Sequence, residues 1–247
     1  RIGETDWWGK PPNWRSADQQ THIQVDIDEE ILGLNKPVDV AVQADAKLFL
    51  RALADALEGT LSEEALASRR KATERFRQLQ AKERAKLDKL LTQADAPLTA
   101  AHVTTAAQRV FDDNAYVVFD GGNTAVWANF YHEVRSPLTL LGTPKFGMLG
   151  AGVAQALGAK VADPRRQVYC DIGDGAMGFH PQEIETAIRH RLAVVYLVCC
   201  DRQWGMVKMN QQFALKPVKT IIKKSLDPGE TINADFEEIA FDRLAES

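Results

Sequence analysis

Cysteine is scarce in this chain: Cys170, Cys199 and Cys200 are the three in 247 residues, all inside apolar runs and without the spacing of metal ligands. That pattern favours buried thiols in a reducing compartment over a disulfide framework or a zinc site. Long apolar runs are missing too. No window holds eighteen consecutive apolar residues, and the N-terminus lacks the charged-then-apolar order of a signal peptide. Neither membrane insertion nor secretion is supported, and a cytoplasmic protein is expected. Positive charge is not in excess: the formal net charge of −4 argues against a nucleic-acid-binding surface. The opening "RIGETDWWGK" has neither an initiator Met nor a cap or strand of its own, which predicts a fragment of a longer polypeptide.

What is present is 45% apolar residues, enough to bury a sizeable core in one large domain or two smaller ones. "THIQVDID" (21–28) and "VDVAVQAD" (38–45) alternate as strands, and "AKLFLRALADAL" (46–57) has helical spacing at Phe49, Leu50, Leu53 and Leu57. This predicts a piece of an α/β domain over 1–57. Residues 62–93, rich in Glu, Lys, Arg, Ala and Leu, read as a solvated helical connector, and a helical linker is expected over 58–96. "DAPLT" (95–99) breaks that helix, and Thr99 is placed to cap one from Ala100 to Phe111.

From residue 97 onward the pattern is regular. "AYVVFDGGN" (115–123), "RQVYCDIGDG" (166–175) and "LAVVYLVCCD" (192–201) are near-continuous apolar runs separated by helical segments, as parallel strands covered on both faces require. The expected fold class over 97–247 is therefore α/β, a doubly wound, mostly parallel sheet with helices on both faces. Ligands of such sheets bind outside the carboxyl ends of the strands, where each of these runs ends in an acidic or Gly-rich turn.

The stretch "GDGAMGF" (173–179) puts Asp174 between two glycines that free the backbone to turn sharply. One crossover, including the helical "HPQEIETAIRHR", separates it from Asp201, so both carboxylates reach the same edge of the sheet. Two such oxygen ligands suit Mg²⁺, which shares its octahedral shell with phosphates and water. Gly121 and Gly122 bring backbone N–H groups close to a phosphate at the start of the following helix. A GDG alone also reads as a simple strand-ending turn.

The ordered set carries a resemblance. "GDGAMGFHPQEIETAIRHRLAVVYLVCCDRQWGM" resembles the thiamine-diphosphate motif, "FDGGNTAVWANFY" the diphosphate-contacting turn of that family, and "FGMLGAGVAQALGAKVADP" its central glycine-rich helix. "HIQVDIDEEILGLNKPVDVAVQADAKLFL" is similar to the end of the middle domain in the acetolactate synthase-like group of 2-oxo acid decarboxylases and carboligases. The resemblance implies that residues 1–57 close a middle domain and that 97–247 is a thiamine-diphosphate-binding domain, C-terminally incomplete. It implies thiamine diphosphate and Mg²⁺ as cofactors, with Asp174, Asp201 and the main-chain carbonyl of Gln203 as metal ligands. Gly121, Gly122, Asn123 and Thr124 match positions at the diphosphate, and Gly173, Gly175 and Ala176 lie around the first metal ligand. Leu149 falls where the family holds the cofactor bent, with Met148 its neighbour as the alternative. Met206 matches a residue near the thiazolium and substrate. The implied activity is C–C bond cleavage or formation on 2-oxo acids; a 2-hydroxyacyl-CoA lyase branch, and a non-catalytic subunit of the same fold, are the alternatives.

The sequence departs from the family at three places. Cys200–Asp201 stands for an Asn-Asn pair and adds a negative charge, which strengthens the demand for a divalent cation. Asn210 replaces a Trp of true acetolactate synthases. The N-terminal domain whose Glu activates the aminopyrimidine across a dimer interface has no counterpart in 1–247, so it is expected in the same polypeptide or a partner subunit, in a homodimer or homotetramer. An unrelated phosphate- or nucleotide-binding domain would carry a phosphate loop with Lys after its glycines, which is not found here.

The remaining features have plainer readings. His180 is either a pocket residue or an exposed first-turn residue; His22, His102 and His190 read as surface or strand residues, and His132 lies beside Glu133. Trp7, Trp8 and Trp14 with Pro11 and Pro12 read as packing against the middle domain, and Cys199 and Cys200 as inert thiols. "KPVKTIIKKSLD" (216–227) reads as a solvated basic face or a mobile lid.

Overall fold

The computed structural model describes residues 15, 18–34, 36–92, 98–143, 146–215, 217–223 and 230–246. The Trp-Pro cluster of residues 7–14 and much of the basic stretch 216–227 lie outside them. The chain divides into two units, Arg1–Glu83 and Arg84–Ser247.

In the first unit, β1 (Ile23–Asp26) and β2 (Val40–Gln43) pair in parallel, with Ile23 opposite Val40. Helix α1 (Ala46–Leu57) begins where the Asp45 carboxylate accepts the N–H groups of Lys47 and Leu48, each at 3.0 Å. This is the capping a short Asp side chain provides. Helix α2 (Glu63–Leu91) falls within the stretch read as a helical linker and has residues in both units; its sparse apolar stripe stays in solvent at Phe76 and Leu79.

The second unit carries the candidate site. Its elements are α3 (Ala100–Val110), β3 (Tyr116–Asp120), α4 (Asn123–Tyr131), β4 (Leu140–Leu141), α5 (Ala151–Ala162), β5 (Val168–Gly173), a single turn α6 (Asp174–Met177), α7 (Glu183–Arg189), β6 (Val195–Cys199), α8 (Gly205–Leu215), α9 (Pro217–Lys223) and α10 (Phe241–Glu246). Thr99 stands at the N-cap of α3, and its backbone N–H donates to His102 Nδ1 at 3.2 Å. The four strands run parallel in the order β4-β3-β5-β6.

Both faces of this sheet are covered, which is why its strands are apolar throughout rather than alternating. Val118, Val168, Cys170 and Ile172 pack with Val153 and Ala156 of α5 on one face. Val117, Phe119 and Tyr169 pack with Ala107 of α3 and Ala128 of α4 on the other. The register sets Asp120 opposite Ile172 and Gly173 opposite Cys199, so the carboxyl ends of β3, β5 and β6 finish level with one another. Three turns therefore leave the sheet side by side. One expectation fails here: Cys170 is buried and Cys199 partly so, but Cys200 is exposed. Strand β6 ends at Cys199, so the last thiol of the apolar run falls in the loop instead of the sheet.

Candidate functional site

The three turns touch through their glycines. A methyl group on Gly121, which has φ +98°, would stand 3.2 Å from the backbone nitrogen of Gly173, and one on Gly173 would lie 3.0 Å from Thr124 Oγ1. Gly122 caps the start of α4, and a methyl there would strike Met206 Cγ at 2.6 Å. A methyl on Gly205 would strike Asn123 Nδ2 at 2.5 Å, and one on Gly175 would meet the Trp204 ring at 2.7 Å. The segments thus pack closely at their glycines, backbone against backbone where Gly121 meets Gly173 and backbone against side chain at the others. Gly121, Gly122, Asn123, Thr124, Gly173, Gly175 and Met206 are brought together.

The expected role of the glycines around Asp174 needs correcting. Among the GDG residues, Gly173 is extended (φ −75°, ψ 152°) and Asp174 and Gly175 begin α6. Neither glycine is among the residues with positive φ. Close approach of Thr124 and Trp204, rather than a sharp turn, excludes a side chain at these two positions.

Asp174 is buried, and its carboxylate accepts two backbone N–H groups: Gly175 at 2.8 Å through Oδ1 and Arg202 at 2.8 Å through Oδ2. The second bond ties the β5 turn to the β6 turn and holds Arg202 in the left-handed region at φ +55°. Asp201 is the next residue back. Its carboxyl is pushed above the usual carboxylate range, first by burial and further by the charge of Asp174, while Gln203 Nε2, donating at 3.0 Å, pulls it down. A divalent cation beside Asp201 would offset the negative charge that Asp174 places there. No group of three or more His, Cys, Asp and Glu side chains that could hold a metal occurs among the described residues. A cation here would take the two carboxylates, a main-chain carbonyl such as that of Gln203, and oxygens from phosphate and water.

Of the other candidates, Ala176 is buried against the core, Leu149 packs on the same core cluster, and Met148 is 48% exposed. His180 is half-buried, and its ring lies 3.0 Å from where a methyl on Gly150 would be. It therefore faces the first turn of α5 rather than open solvent.

Asp120 is a site residue that the motif reading passed over. It ends β3, is buried, and accepts N–H groups from Gly121 at 2.6 Å and Gly152 at 2.7 Å. Burial raises its pKa, opposed by those N–H groups, by Gly150 and by His180. One carboxylate thus joins the diphosphate-type turn to the N-terminal turn of α5. The available signal was its position: an acid at a strand end directly before two glycines, the same pattern that singled out Asp174.

A second buried acid, Asp171, lies one layer below. Thr104 Oγ1 donates to its Oδ2 at 2.6 Å and the Cys199 thiol to its Oδ1 at 3.5 Å, yet burial pushes its pKa up to about 6. The folded state therefore holds the proton more tightly than the unfolded chain, and stability is lost as pH rises from about 4 to 6. Ionised Asp171 costs about 3 kcal/mol above that window. Asp171→Asn is expected to raise the melting temperature by several degrees at about pH 8 and to leave it unchanged near pH 4. Equal shifts at both pH values in a calorimetric scan would refute this. The same burial raises the pKa of Cys199 and Cys200, keeping both as thiols rather than thiolates.

Residues 120–247 match the family described as "Thiamine pyrophosphate enzyme, C-terminal TPP binding domain". The chain belongs to this family. It is 35% identical over 172 residues to the 2-hydroxyacyl-CoA lyase 2 of Mus musculus, covering 69% of this chain and 26% of that protein. It is 30% identical over 224 residues to the sulfoacetaldehyde acetyltransferase of Castellaniella defragrans, covering 83% and 36%. It is 27% identical over 192 residues to the probable acetolactate synthase large subunit of Methanococcus aeolicus, covering 75% and 32%. The matched region spans about a quarter to a third of the length of these curated relatives. Thiamine pyrophosphate, another name for thiamine diphosphate, fits the site as folded: the buried Asp174 carboxylate and the Arg202 turn it holds stand beside glycine positions that added methyl groups would crowd.

Proposed function

We propose that this chain anchors thiamine pyrophosphate through Mg²⁺ in an enzyme that cleaves or forms a C–C bond of a 2-oxo acid, as a decarboxylase or carboligase. The observation that carries this reading is the convergence of the Asp174 and Asp201 turns on the Gly121–Gly122 turn at one edge of a parallel sheet. Asp174, Asp201 and the Gln203 carbonyl would hold the metal. The N–H groups at the start of α4, with Asn123 and Thr124, would take the phosphate oxygens, since a helix N-terminus favours anions. Leu149 or Met148 would support the bent cofactor, and Met206, already against Gly122, would border the reacting carbon. The chemistry the cofactor supplies when bound is that of an electron sink for C–C cleavage. An N-terminal pyrimidine-binding domain, in the same polypeptide or a partner subunit, would complete the site in a homodimer or homotetramer.

A second reading, a 2-hydroxyacyl-CoA lyase, is favoured by the 35% identity to the mouse protein of that name and by Asn210 in place of the acetolactate synthase Trp. Calorimetric titration of thiamine pyrophosphate into the full-length protein tests the anchor. Binding is expected with Mg²⁺ and not after chelation; binding that ignores the metal, or none at all, sinks the proposal. Turnover of pyruvate against that of a 2-hydroxyacyl-CoA then separates the two readings.

A further inference from the structure

The loop bearing Asp201 and Gln203 leaves the sheet at Cys199, and a second segment lies against it. Trp204 N–H donates to Ala234 O at 2.8 Å and Phe236 N–H to Arg202 O at 3.0 Å, making an antiparallel bridge between Gln203 and Asp235. The peptide planes carry the consequence. In a trans peptide the C=O and the N–H point in opposite directions. Because the Arg202 carbonyl and the Trp204 N–H both face residues 231–236, the N–H and C=O of Gln203 must both face the other way. A backbone hydrogen bond of Gln203 is among the influences that pull the Asp201 carboxyl down, in keeping with that direction. The Gln203 carbonyl is therefore aimed away from residues 231–236, to the side of the loop on which its own N–H meets the Asp201 carboxyl.

This second segment is itself locked. Lys208 Nζ pairs with Asp235 Oδ1 at 2.5 Å, with the Lys208 side chain only 12% exposed. The Gln211 amide clasps the backbone of Ile232 in both directions, donating to its carbonyl at 2.9 Å and accepting its N–H at 2.6 Å. Thr231 and Ala234 are buried. Lys208 and Gln211 both lie on α8, the helix that the metal loop enters, so the strap is fastened both to the loop and to that helix.

We propose that residues 231–236 are a positioning strap for the metal loop, and that Asp235, Lys208 and Gln211 are the positioning residues that keep the Gln203 carbonyl directed at the cation. The inference rests on the metal reading of Asp174, Asp201 and Gln203. It assigns a role to side chains that touch neither metal nor cofactor. Groups that orient a metal's ligands affect affinity by about 10- to 100-fold.

The test uses Lys208→Met, Asp235→Ala and Gln211→Met in the full-length protein, with three readouts: the Mg²⁺ concentration that half-saturates thiamine pyrophosphate binding, amide hydrogen exchange at Trp204 and Phe236 without ligand, and the melting temperature. Each variant is expected to need about 10- to 100-fold more Mg²⁺ and to exchange faster at those two amides. The Lys208→Met/Asp235→Ala double variant should be no worse than the poorer single one, because the two side chains act as a pair. Asp235→Glu, which keeps the charge, should recover part of the Mg²⁺ affinity and guards against a variant that fails to fold. Mg²⁺ requirements within about twofold of wild type, or additive losses in the double variant, overturn the strap. If the wild type binds with Mg²⁺ and the variants match it, only the strap fails; if the wild type shows no metal dependence, the metal reading fails and takes the strap with it.

Discussion

Asp174→Ala is expected to weaken Mg²⁺-dependent binding of thiamine pyrophosphate by more than about 100-fold, exceeding the loss from removing a group that merely orients a ligand. The carboxylate does two things at once. In the proposed reading it is one of two acidic oxygen donors to the metal, and it accepts the N–H groups of Gly175 and Arg202, fastening the β5 turn to the β6 turn. Alanine removes both functions. Leaving those N–H groups without their partner costs about 1–3 kcal/mol, so the melting temperature should fall as well. Asp174→Asn separates the two effects in part: its amide oxygen can keep one of the two N–H groups while its NH2 faces the other, and it carries no charge for the cation. It is expected to regain only part of the thermal stability and little of the Mg²⁺ affinity. Calorimetric titration beside a melting curve reads both, and undiminished metal-dependent binding by Asp174→Ala would remove Asp174 from the site.

Gly152→Ala should be one of the strongly damaging methyl additions among the described residues of the second unit. The new Cβ would lie 2.5 Å from Asp120 Cβ and 2.9 Å from Asp120 Oδ2, and Asp120 is buried at the end of β3. The obstacle is the root of a packed side chain, which cannot swing aside. Displacing Asp120 also breaks its bonds to the Gly121 and Gly152 N–H groups. A loss of about 2–4 kcal/mol is expected from overpacking together with the stranded N–H groups. Cofactor affinity should fall with it, because Asp120 sets the turn at 121–122. Gly158 supplies the control: it lies on the same helix, and a methyl there meets nothing within 4 Å. Gly158→Ala is expected to stabilise by about 0.5–1 kcal/mol, the ordinary helical advantage of alanine over glycine. Chemical denaturation of the two variants should give opposite signs. A Gly152→Ala protein as stable as wild type would mean that α5 and β3 do not pack as described.

The sequence by itself determined the elements and their class. The runs ending at Asp120, Gly173 and Cys199 became the parallel strands β3, β5 and β6, because a strand buried on both faces must be apolar at successive positions. Helix α1 was legible to the residue from its apolar spacing, whereas Asp45, read as the end of a strand over 38–45, proves to be its N-cap beyond a strand that stops at Gln43. The motif spacing also carried the family, because a fixed crossover length brings the Asp174 and Asp201 turns to one edge of the sheet.

Only the tertiary structure decided how those turns meet. Periodicity reports whether a position is buried; it does not report what stands opposite. The bonds that build the site join Asp120 to Gly152, Asp174 to Arg202 and Lys208 to Asp235, pairs 32, 28 and 27 residues apart. Their existence depends on the register of the strands and the packing of α5 and α8. The same reason explains the corrections. Gly173 and Gly175 looked like turn formers but are small because Thr124 and Trp204 press on them, and Cys200 looked buried but lies one residue beyond the last paired position of β6. Local chemistry specified each turn, while the space between the turns was set by the sheet that holds them.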